Sequence, residues 1–286
     1  MILIDYNQFV LAAIFNSMKE GFSTSEVTDE NVVRHLLLNH LRSNRKKFTR
    51  EYGELVICCD SKHTWRKDFF PYYKVRRMKN KKESDINWNA LHVIMDKLSE
   101  ELKNHFPYKV IKVDKCEADD IIGVICHQYG DEFFAEGEKI LILSRDKDYK
   151  QLLKYRNVKQ YDQIDNKFLG VDDPTVFLKE MIIKGDSGDD IPNILSDDDV
   201  FAIGKRQGVM TQKRLDAFMA GENMTDEVVK NIKRNIKLID LSKVPKVYKQ
   251  EILEKFEIET QNKRGRLMEY FVDKQLIQLL PDIGDF

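Results

Sequence analysis

The chain has 286 residues, 42% hydrophobic and 33% charged, with a formal net charge of −1 at pH 7. That is enough apolar material to bury a core in one large or two ordinary domains, and too much charge for a membrane protein. A near-neutral total excludes attraction of nucleic acid by overall charge, so any such attraction must come from local segregation.

Met1 to Ile4 is an apolar run that stops at Asp5, and a helix follows over Phe9 to Met18. The opening MILIDYN has no basic region and too few apolar residues for a signal peptide, and no apolar run nears the length of a membrane span. A Ser/Thr/Glu-rich link, Phe22 to Glu30, leads to a second helix from about Asn31 to Leu41. Leu55 to Cys59 is a second apolar strand, ending at Asp60. The order β-α-α-β favours a parallel sheet with helical crossovers. Cys58 and Cys59 fall on opposite faces of that strand. With Cys116 and Cys126 they form no CxxC pair, which reads as reduced thiols in a cytoplasmic protein.

Composition then shifts. Residues 61–82 hold nine Lys or Arg against one acid, Asp68, a net +8, with Trp65, Phe69, Phe70, Tyr72 and Tyr73 interleaved. A charge run by itself is usually a solvated face. Single-stranded nucleic acid, however, calls for cations on its phosphates and rings on its bases together. A long helix returns over Trp88 to Asn104, with Leu91, Ile94, Met95, Leu98 and Leu102 on one face. Val110 to Val113 runs into Asp114, and Glu117-Ala118-Asp119-Asp120 opens an apolar helix. Lys139 to Leu143 is another apolar strand, followed by Ser144, Asp146, Asp148 and helical turns from Tyr149 to Leu153. Asn157 to Tyr161 reads as a short strand with a hairpin-like return through Asn166 to Gly170. Asp173-Pro174 opens a helix to about Lys184, capped by Gly185. The loop Gly185-Asp186-Ser187-Gly188-Asp189-Asp190-Ile191-Pro192 follows. Beyond it the pattern is helical, over Lys213 to Met219, Asp226 to Leu238, Lys246 to Phe256 and Met268 to Leu280. From Lys184 onward 17 basic residues face 19 acids, so this part is not basic overall. Basic clusters stand at Lys205-Arg206, Lys213-Arg214, Lys230 to Lys237 and Lys263 to Arg266.

The acids Asp5, Asp60, Glu117, Asp119, Asp120, Asp146, Asp148, Asp186 and Asp189 gather at strand ends and the loops beside them. In open α/β sheets that edge is where ligands bind. Helix capping explains any one such acid, but the first two strands each end in a single Asp with no helix start signal beside it. Crowded carboxylates repel and protonate unless a cation neutralises them. An all-oxygen set with no histidine selects Mg²⁺ or Mn²⁺ over Zn²⁺. So many acids exceed what one ion requires, and two ions suit in-line displacement at a phosphodiester. With a basic aromatic segment inserted at the same edge, the pattern is that of a metal-dependent nuclease.

The ordered set Ile4-Asp5, Cys59-Asp60, Trp65-Arg66-Lys67, Pro71-Tyr72-Tyr73-Lys74-Val75-Arg76-Arg77, Glu117-Ala118-Asp119-Asp120, Ser144-Arg145-Asp146-Lys147-Asp148 and Lys184 to Pro192 resembles the 5′-nuclease superfamily. That superfamily includes flap endonucleases and the 5′-nuclease domains of bacterial polymerases, and the chain is most similar to its branch of T-even-like phage ribonucleases H. The resemblance implies a central, mostly parallel sheet flanked by helices, with an acid-lined edge and a helical arch at about 61–90. This α/β nuclease domain, 1–183, precedes a smaller all-helical DNA-binding domain, 184–286. It places Asp5, Asp60, Glu117, Asp119, Asp120 and Asp146 around a first metal and Asp148, Asp186 and Asp189 around a second. It puts Tyr73, Lys74 and Arg77 at the scissile phosphate, the last two as catalytic cations sharing a helix face. Arg66 and Lys67 are then expected to contact nucleic acid. The family's duplex-gripping helix–three-turn–helix is degenerate here, since Asp197, Asp198 and Asp199 intrude and only one of its glycines is convincing. Lys205, Arg206, Lys213 and Arg214 are the expected phosphate contacts.

The expected activity is Mg²⁺-dependent hydrolysis from a 5′ end, on forked or flapped DNA and RNA–DNA hybrid, removing RNA primers during replication. The enzyme is expected to be a monomer in the host cytoplasm of a phage, working beside a single-strand DNA-binding protein and a sliding clamp. A PIN-like ribonuclease shares the acid-lined sheet but usually lacks the basic insertion and the second domain. A nucleic-acid-binding protein without catalysis would not need every acid intact.

Overall fold

Short apolar runs bounded by acids become the strands of one six-stranded sheet, in the order β3-β2-β1-β4-β5-β6. In this computed structural model, which describes residues 1–77, 86–133, 137–258 and 266–286, β1 is Ile2–Asp5, β2 Leu55–Cys59, β3 Lys109–Lys112, β4 Ile140–Leu143, β5 Val158–Asp162 and β6 Lys167–Leu169. Residues 78–85, which take in Met78 to Lys82 of the basic run and part of the expected arch, and Lys263 to Gly265 lie outside the described residues. All pairings are parallel except β5 with β6, the expected hairpin.

β2, β4 and β1 up to its final Asp5 are apolar because both faces are covered. Alternate side chains enter two cores. Ile2, Ile4, Ile57, Cys59, Leu141 and Leu143 join the first, and Leu3, Val56, Cys58, Ile140 and Ile142 join the second. The adjacent cysteines therefore do face opposite ways. Helices α1 (Tyr6–Lys19), α2 (Glu30–Tyr52) and α4 (Trp88–His105) supply the first core, with the short α3 (Trp65–Phe69) between β2 and α4. Helices α5 (Ala118–Tyr129) and α9 (Lys246–Glu257), with the 3-10 segment Lys147–Lys154, supply the second. α2 runs eleven residues past its expected end at Leu41. The polar sequence after Leu41 hides a buried stripe, Leu41, Asn44, Phe48 and Tyr52, that continues the helical period to the Gly53 cap.

The rest of the helical part comprises α6 (Pro174–Lys184), α7 (Gln212–Met219), α8 (Asp226–Ile239), α10 (Leu267–Asp273) and a 3-10 stretch, Ile277–Asp285. The last two replace the single helix expected over Met268 to Leu280, which breaks where Gln275 takes φ 54°. Packing crosses the boundary expected near 184. Leu267, Tyr270, Phe271, Leu276, Leu279 and Phe286 lie in the same core as the sheet, while Ile183, Ile194, Leu215, Phe218 and Val228 make a small core of their own. Among the described residues, no helix is long and apolar enough to cross a membrane.

Because Phe271 is fully buried in the core shared with the sheet, Phe271→Ala should cost about 3–5 kcal/mol and lower one cooperative transition of the whole chain. Calorimetry checks this. An early transition confined to the helical part, with the remainder melting as in wild type, would contradict the shared core.

Candidate metal centre

The strand order turns at β1: β2 and β3 extend to one side of it, and β4 and β5 to the other. The crevice beyond the carboxyl ends of strands at such a switch is where an α/β sheet leaves room for a ligand. Asp5 ends β1, Asp60 follows β2, and Asp146 follows β4.

Each of these acids is also a cap. Asp5 is the N-cap of α1, accepting from Gln8 N–H at 3.3 Å, and its second oxygen accepts from Tyr149 Oη at 3.1 Å. Asp60 accepts from Ala118 N–H at 2.7 Å, the first residue of α5, and from Asn7 Nδ2 at 2.6 Å. The absence of a start signal beside the first two strands was therefore misleading, because capping and site roles coincide. Glu117 and Asp120 form the capping box of α5, and Asp120 also accepts from Trp65 Nε1 at 3.0 Å. One oxygen each from Glu117, Asp119 and Asp120 lie within 4.8 Å of one another.

A second group faces this one. Asp146 caps the 3-10 segment by accepting from Asp148 N–H at 3.0 Å. Asp186 accepts from Gly188 N–H at 2.8 Å and pairs with Lys147 Nζ at 2.6 Å. Its loop leaves α6 at Gly185, φ 67°, where a Cβ would stand 2.4 Å from Ile191 O, so only glycine fits. Among the described residues only Glu117, Asp119 and Asp120 make a set this tight. Asp146, Asp148, Asp186 and Asp189 interact electrostatically around Asp148.

Cations thread the two groups. Arg66, read from the sequence as a nucleic-acid contact, is 2% exposed, with Nη1 at 3.1 Å from Glu117, 2.9 Å from Asp120 and 3.5 Å from Asp119. Its Nε donates to Leu238 O on α8 at 3.0 Å. Tyr73 is buried as well, its hydroxyl 2.9 Å from both Glu117 Oε2 and Asp189 Oδ2. Both are internal braces of the acid field here, because desolvating them beside carboxylates favours pairing over solvent exposure. Lys74 Nζ lies 2.5 Å from Glu117 and 3.5 Å from Asp189, and Arg77 Nη2 donates to Asp189 at 2.7 Å. Helical spacing does not bring these two together. Lys74 has φ 55° in a turn, and the two converge on Asp189. Lys67, Lys205, Arg206, Lys213 and Arg214 are exposed, and the stretch between α6 and α7 forms turns where a helix–three-turn–helix would begin with a helix. Sequence reasoning missed Asn7, Tyr149 and Lys147 as partners of the acids. Only their nearness to Asp5, Asp146 and Asp148 in the chain pointed to them.

Burial drives the Asp5 carboxyl up to about 7, with Asp60 and Asp146 adding to the shift. Burial also raises Asp60, with Glu117 next in effect. Asp148 is pushed well above the usual range by burial and then by Asp146, Asp186 and Asp189. Glu117 goes the other way: burial would raise it, but Lys74 and Arg66 hold it at about 2. Among the described residues, Asp119 Oδ1, Asp120 Oδ1 and Asp148 Oδ1 are buried without a well-formed hydrogen bond; the first two face only the Arg66 guanidinium, at 3.5 and 2.9 Å, and the third lies 3.9 Å from Lys147 Nζ. Buried carboxylate oxygens are rarely left so. Unsatisfied hard oxygens in repelling groups fit divalent cations of the Mg²⁺ or Mn²⁺ kind.

Comparison with known proteins agrees in sequence and fold. A family model described as the 5′-3′ exonuclease N-terminal resolvase-like domain matches residues 1–181, and one described as the T4 RNase H C-terminal region matches residues 173–286. The ribonuclease H of Enterobacteria phage T4 is 33% identical over 298 residues, covering 99% of this chain and 95% of its own. A 5′-3′ exonuclease of Buchnera aphidicola (subspecies Acyrthosiphon pisum) is 29% identical, covering 52% of this chain and 50% of its own. Among solved structures, a bacteriophage T5 protein co-crystallised with metal ions superposes with a TM-score of 0.59 at 18% identity, over 90% of this chain and 99% of that one. The T5 flap endonuclease in a pseudo-enzyme-product complex with DNA and metal ions gives 0.56 at 17% identity, over 96% and 98%.

A carboxylate whose pKa is raised in the fold lets the native state hold its proton longer than the unfolded chain. Stability contributed in this way is lost as pH rises, for Asp5 between its ordinary 3.8 and about 7. Two half-buried histidines act oppositely: desolvation lowers His40, and lowers His127 to about 4. The test is therefore a difference. In EDTA, Asp5→Asn should raise the melting temperature over wild type more at pH 8 than at pH 4.5, by removing a charge the metal-free fold disfavours. An equal or reversed difference would remove the repulsion.

Proposed function

The chain belongs to the 5′-3′ exonuclease family and is a nuclease, and from that premise we propose that it hydrolyses phosphodiesters from the 5′ end of forked or flapped DNA and of RNA–DNA hybrid. On this reading it uses two Mg²⁺ ions, replaceable by Mn²⁺, and removes RNA primers during replication. The observation that carries it is the pair of facing acid groups at the sheet's switch point, with buried carboxylate oxygens that lack a well-formed hydrogen bond. Asp5, Asp60, Glu117, Asp119, Asp120 and Asp146 would hold the first ion, and Asp148, Asp186 and Asp189 the second. Such ions, when bound, supply a hydroxide nucleophile and neutralise charge on the attacking and leaving oxygens.

The protein's own part is positioning and electrostatics. Asn7 and Tyr149 orient Asp60 and Asp5. Arg66 and Tyr73 fix Glu117 from the buried side. Lys74 and Arg77 stand at the mouth, on Glu117 and Asp189, where a scissile phosphate would meet them. Residues 1–183 would carry the chemistry and the base of the arch, and 184–286 would hold duplex through Lys205, Arg206, Lys213 and Arg214, with Lys67 beside the arch. On this reading its replisome partners would be a single-strand DNA-binding protein and a sliding clamp.

End-labelled forked and RNA-primed duplexes, incubated with and without Mg²⁺, test the activity. Mg²⁺-dependent release of short 5′-phosphorylated products is expected, and Asp146→Asn should abolish it with the fold intact. Full activity of that variant at saturating Mg²⁺ would contradict the metal assignment. Preorganised cations at a developing charge are worth about 3–4 kcal/mol, so Lys74→Ala and Arg77→Ala should each lose on the order of a hundredfold in single-turnover rate. Binding measured in Ca²⁺ should be nearly unchanged, whereas normal rates in both variants would leave them as surface charges. Replacing Lys213 and Arg214 together should flatten the salt dependence of duplex affinity, because fewer counterions are released. An unchanged slope would take them out of the interface.

A further inference from the structure

The base of the basic segment is bonded to the loop of the second acid group at four of the residues from Tyr73 to Arg77. The Tyr73 hydroxyl lies 2.9 Å from Asp189 Oδ2, and Lys74 N–H donates to Asp189 O at 2.9 Å. Arg76 N–H donates to Asp190 Oδ2 at 2.8 Å, and Arg76 Nη2 to Ser187 O at 2.6 Å. Arg77 reaches the Asp189 carboxylate.

Asp190 differs in kind from the acids around it. Its carboxylate is spent on Arg76 through both oxygens, on the backbone N–H and on the guanidinium Nε. It is 1% exposed, and its backbone is left-handed at φ 58°. A buried charge in a backbone region that side chains avoid is costly. The cost falls at a single point, the tip of the loop. The stem of that loop is fixed separately, by the Asp186–Ile191 bridge and by Asn235 Nδ2, which donates to Ile182 O at 2.7 Å and to Pro192 O at 2.9 Å. The Arg76 guanidinium also stacks on Phe201 at 4.2 Å. Arg76 thus joins the arch base, the loop tip and the helical part in one place.

We infer that Arg76 and Asp190 are positioning residues whose pairing holds the tip of the Asp186–Asp189 loop and so sets the divalent-cation affinity of the second acid group. This rests on the reading of two cation sites above. Neither residue is placed among the cation ligands; each acts through the backbone that presents Asp189. Partners of this kind, one step behind metal ligands, typically change affinity by about 10- to 100-fold when removed.

Wild type, Arg76→Ala, Asp190→Ala, Asp190→Asn and the double variant Arg76→Ala/Asp190→Ala are titrated with Mn²⁺ alone, free Mn²⁺ being followed by electron paramagnetic resonance. The same proteins are digested with trypsin, scoring cleavage after Lys74 and Arg77. Wild type should bind two ions. The weaker site should weaken about tenfold or more in both alanine variants and less in Asp190→Asn, which keeps an acceptor for the Arg76 N–H. The stronger site should not move. The double variant should lose no more than the worse single, because both belong to one interaction, and cleavage after Lys74 and Arg77 should accelerate. Unchanged weaker-site affinity in both alanine variants, or additive losses in the double, would overturn the inference. A wild type binding one ion would remove the two-site reading instead, and the trypsin rates would then decide alone, equal rates overturning the pairing's role. Should Asp190→Ala fail to fold, Arg76→Ala carries the same test from the half-exposed partner.

Discussion

Carboxylates buried together at the edge of a sheet cannot all stay charged without cations among them, and that repulsion organises most of what surrounds this site. It accounts for Arg66, a fully desolvated guanidinium set among Glu117, Asp119 and Asp120. It accounts for Lys74 and Lys147 standing on the two groups. It also explains why the neighbours diverge: Glu117, within reach of Lys74 and Arg66, is held low, while Asp5 and Asp148, beside other acids, are pushed up. The protein's own cations compensate part of the charge and leave Asp119 Oδ1, Asp120 Oδ1 and Asp148 Oδ1 without a well-formed hydrogen bond.

The helical part takes a direct share in this arrangement. The carbonyl of Leu238, at the end of α8, accepts from Arg66, so one end of the helix steadies the central cation. Asn235 and Arg234, one turn earlier, hold the carbonyls of Pro192 and Asn193, where the loop of Asp186 and Asp189 leaves the site. The terminal aromatic residues Tyr270, Phe271 and Phe286 fill the core under the sheet. Sheet, basic segment and helical part are therefore mechanically joined at the acids, and changes in the helical part reach the site through packing.

Much of this was legible in the sequence because apolar strands that stop at acids carry a simple signal. Ile2 to Ile4, Leu55 to Cys59 and Ile140 to Leu143 are strands as read, and the acids after them share one edge. What failed to show depended on three-dimensional neighbours. Arg66 and Tyr73 looked like surface residues in a basic run because nothing local reveals that Glu117 closes over both, with Asp120 on Arg66 and Asp189 on Tyr73. Lys74 and Arg77 meet by way of a left-handed turn that spacing cannot announce. The second half of α2 was hidden because its buried stripe passes through polar and charged residues, and the final helix broke at Gln275, a residue with no breaker signature.

We propose two divalent cations as the partners of these acids. The direct measurement is a crystal grown with Mn²⁺ and examined for anomalous scattering. Two strong peaks are expected, one among Asp5, Asp60, Glu117, Asp119, Asp120 and Asp146 and the other among Asp148, Asp186 and Asp189, both with oxygen ligands only. No peak in either acid group at saturating Mn²⁺, or a single peak bound elsewhere, would contradict it.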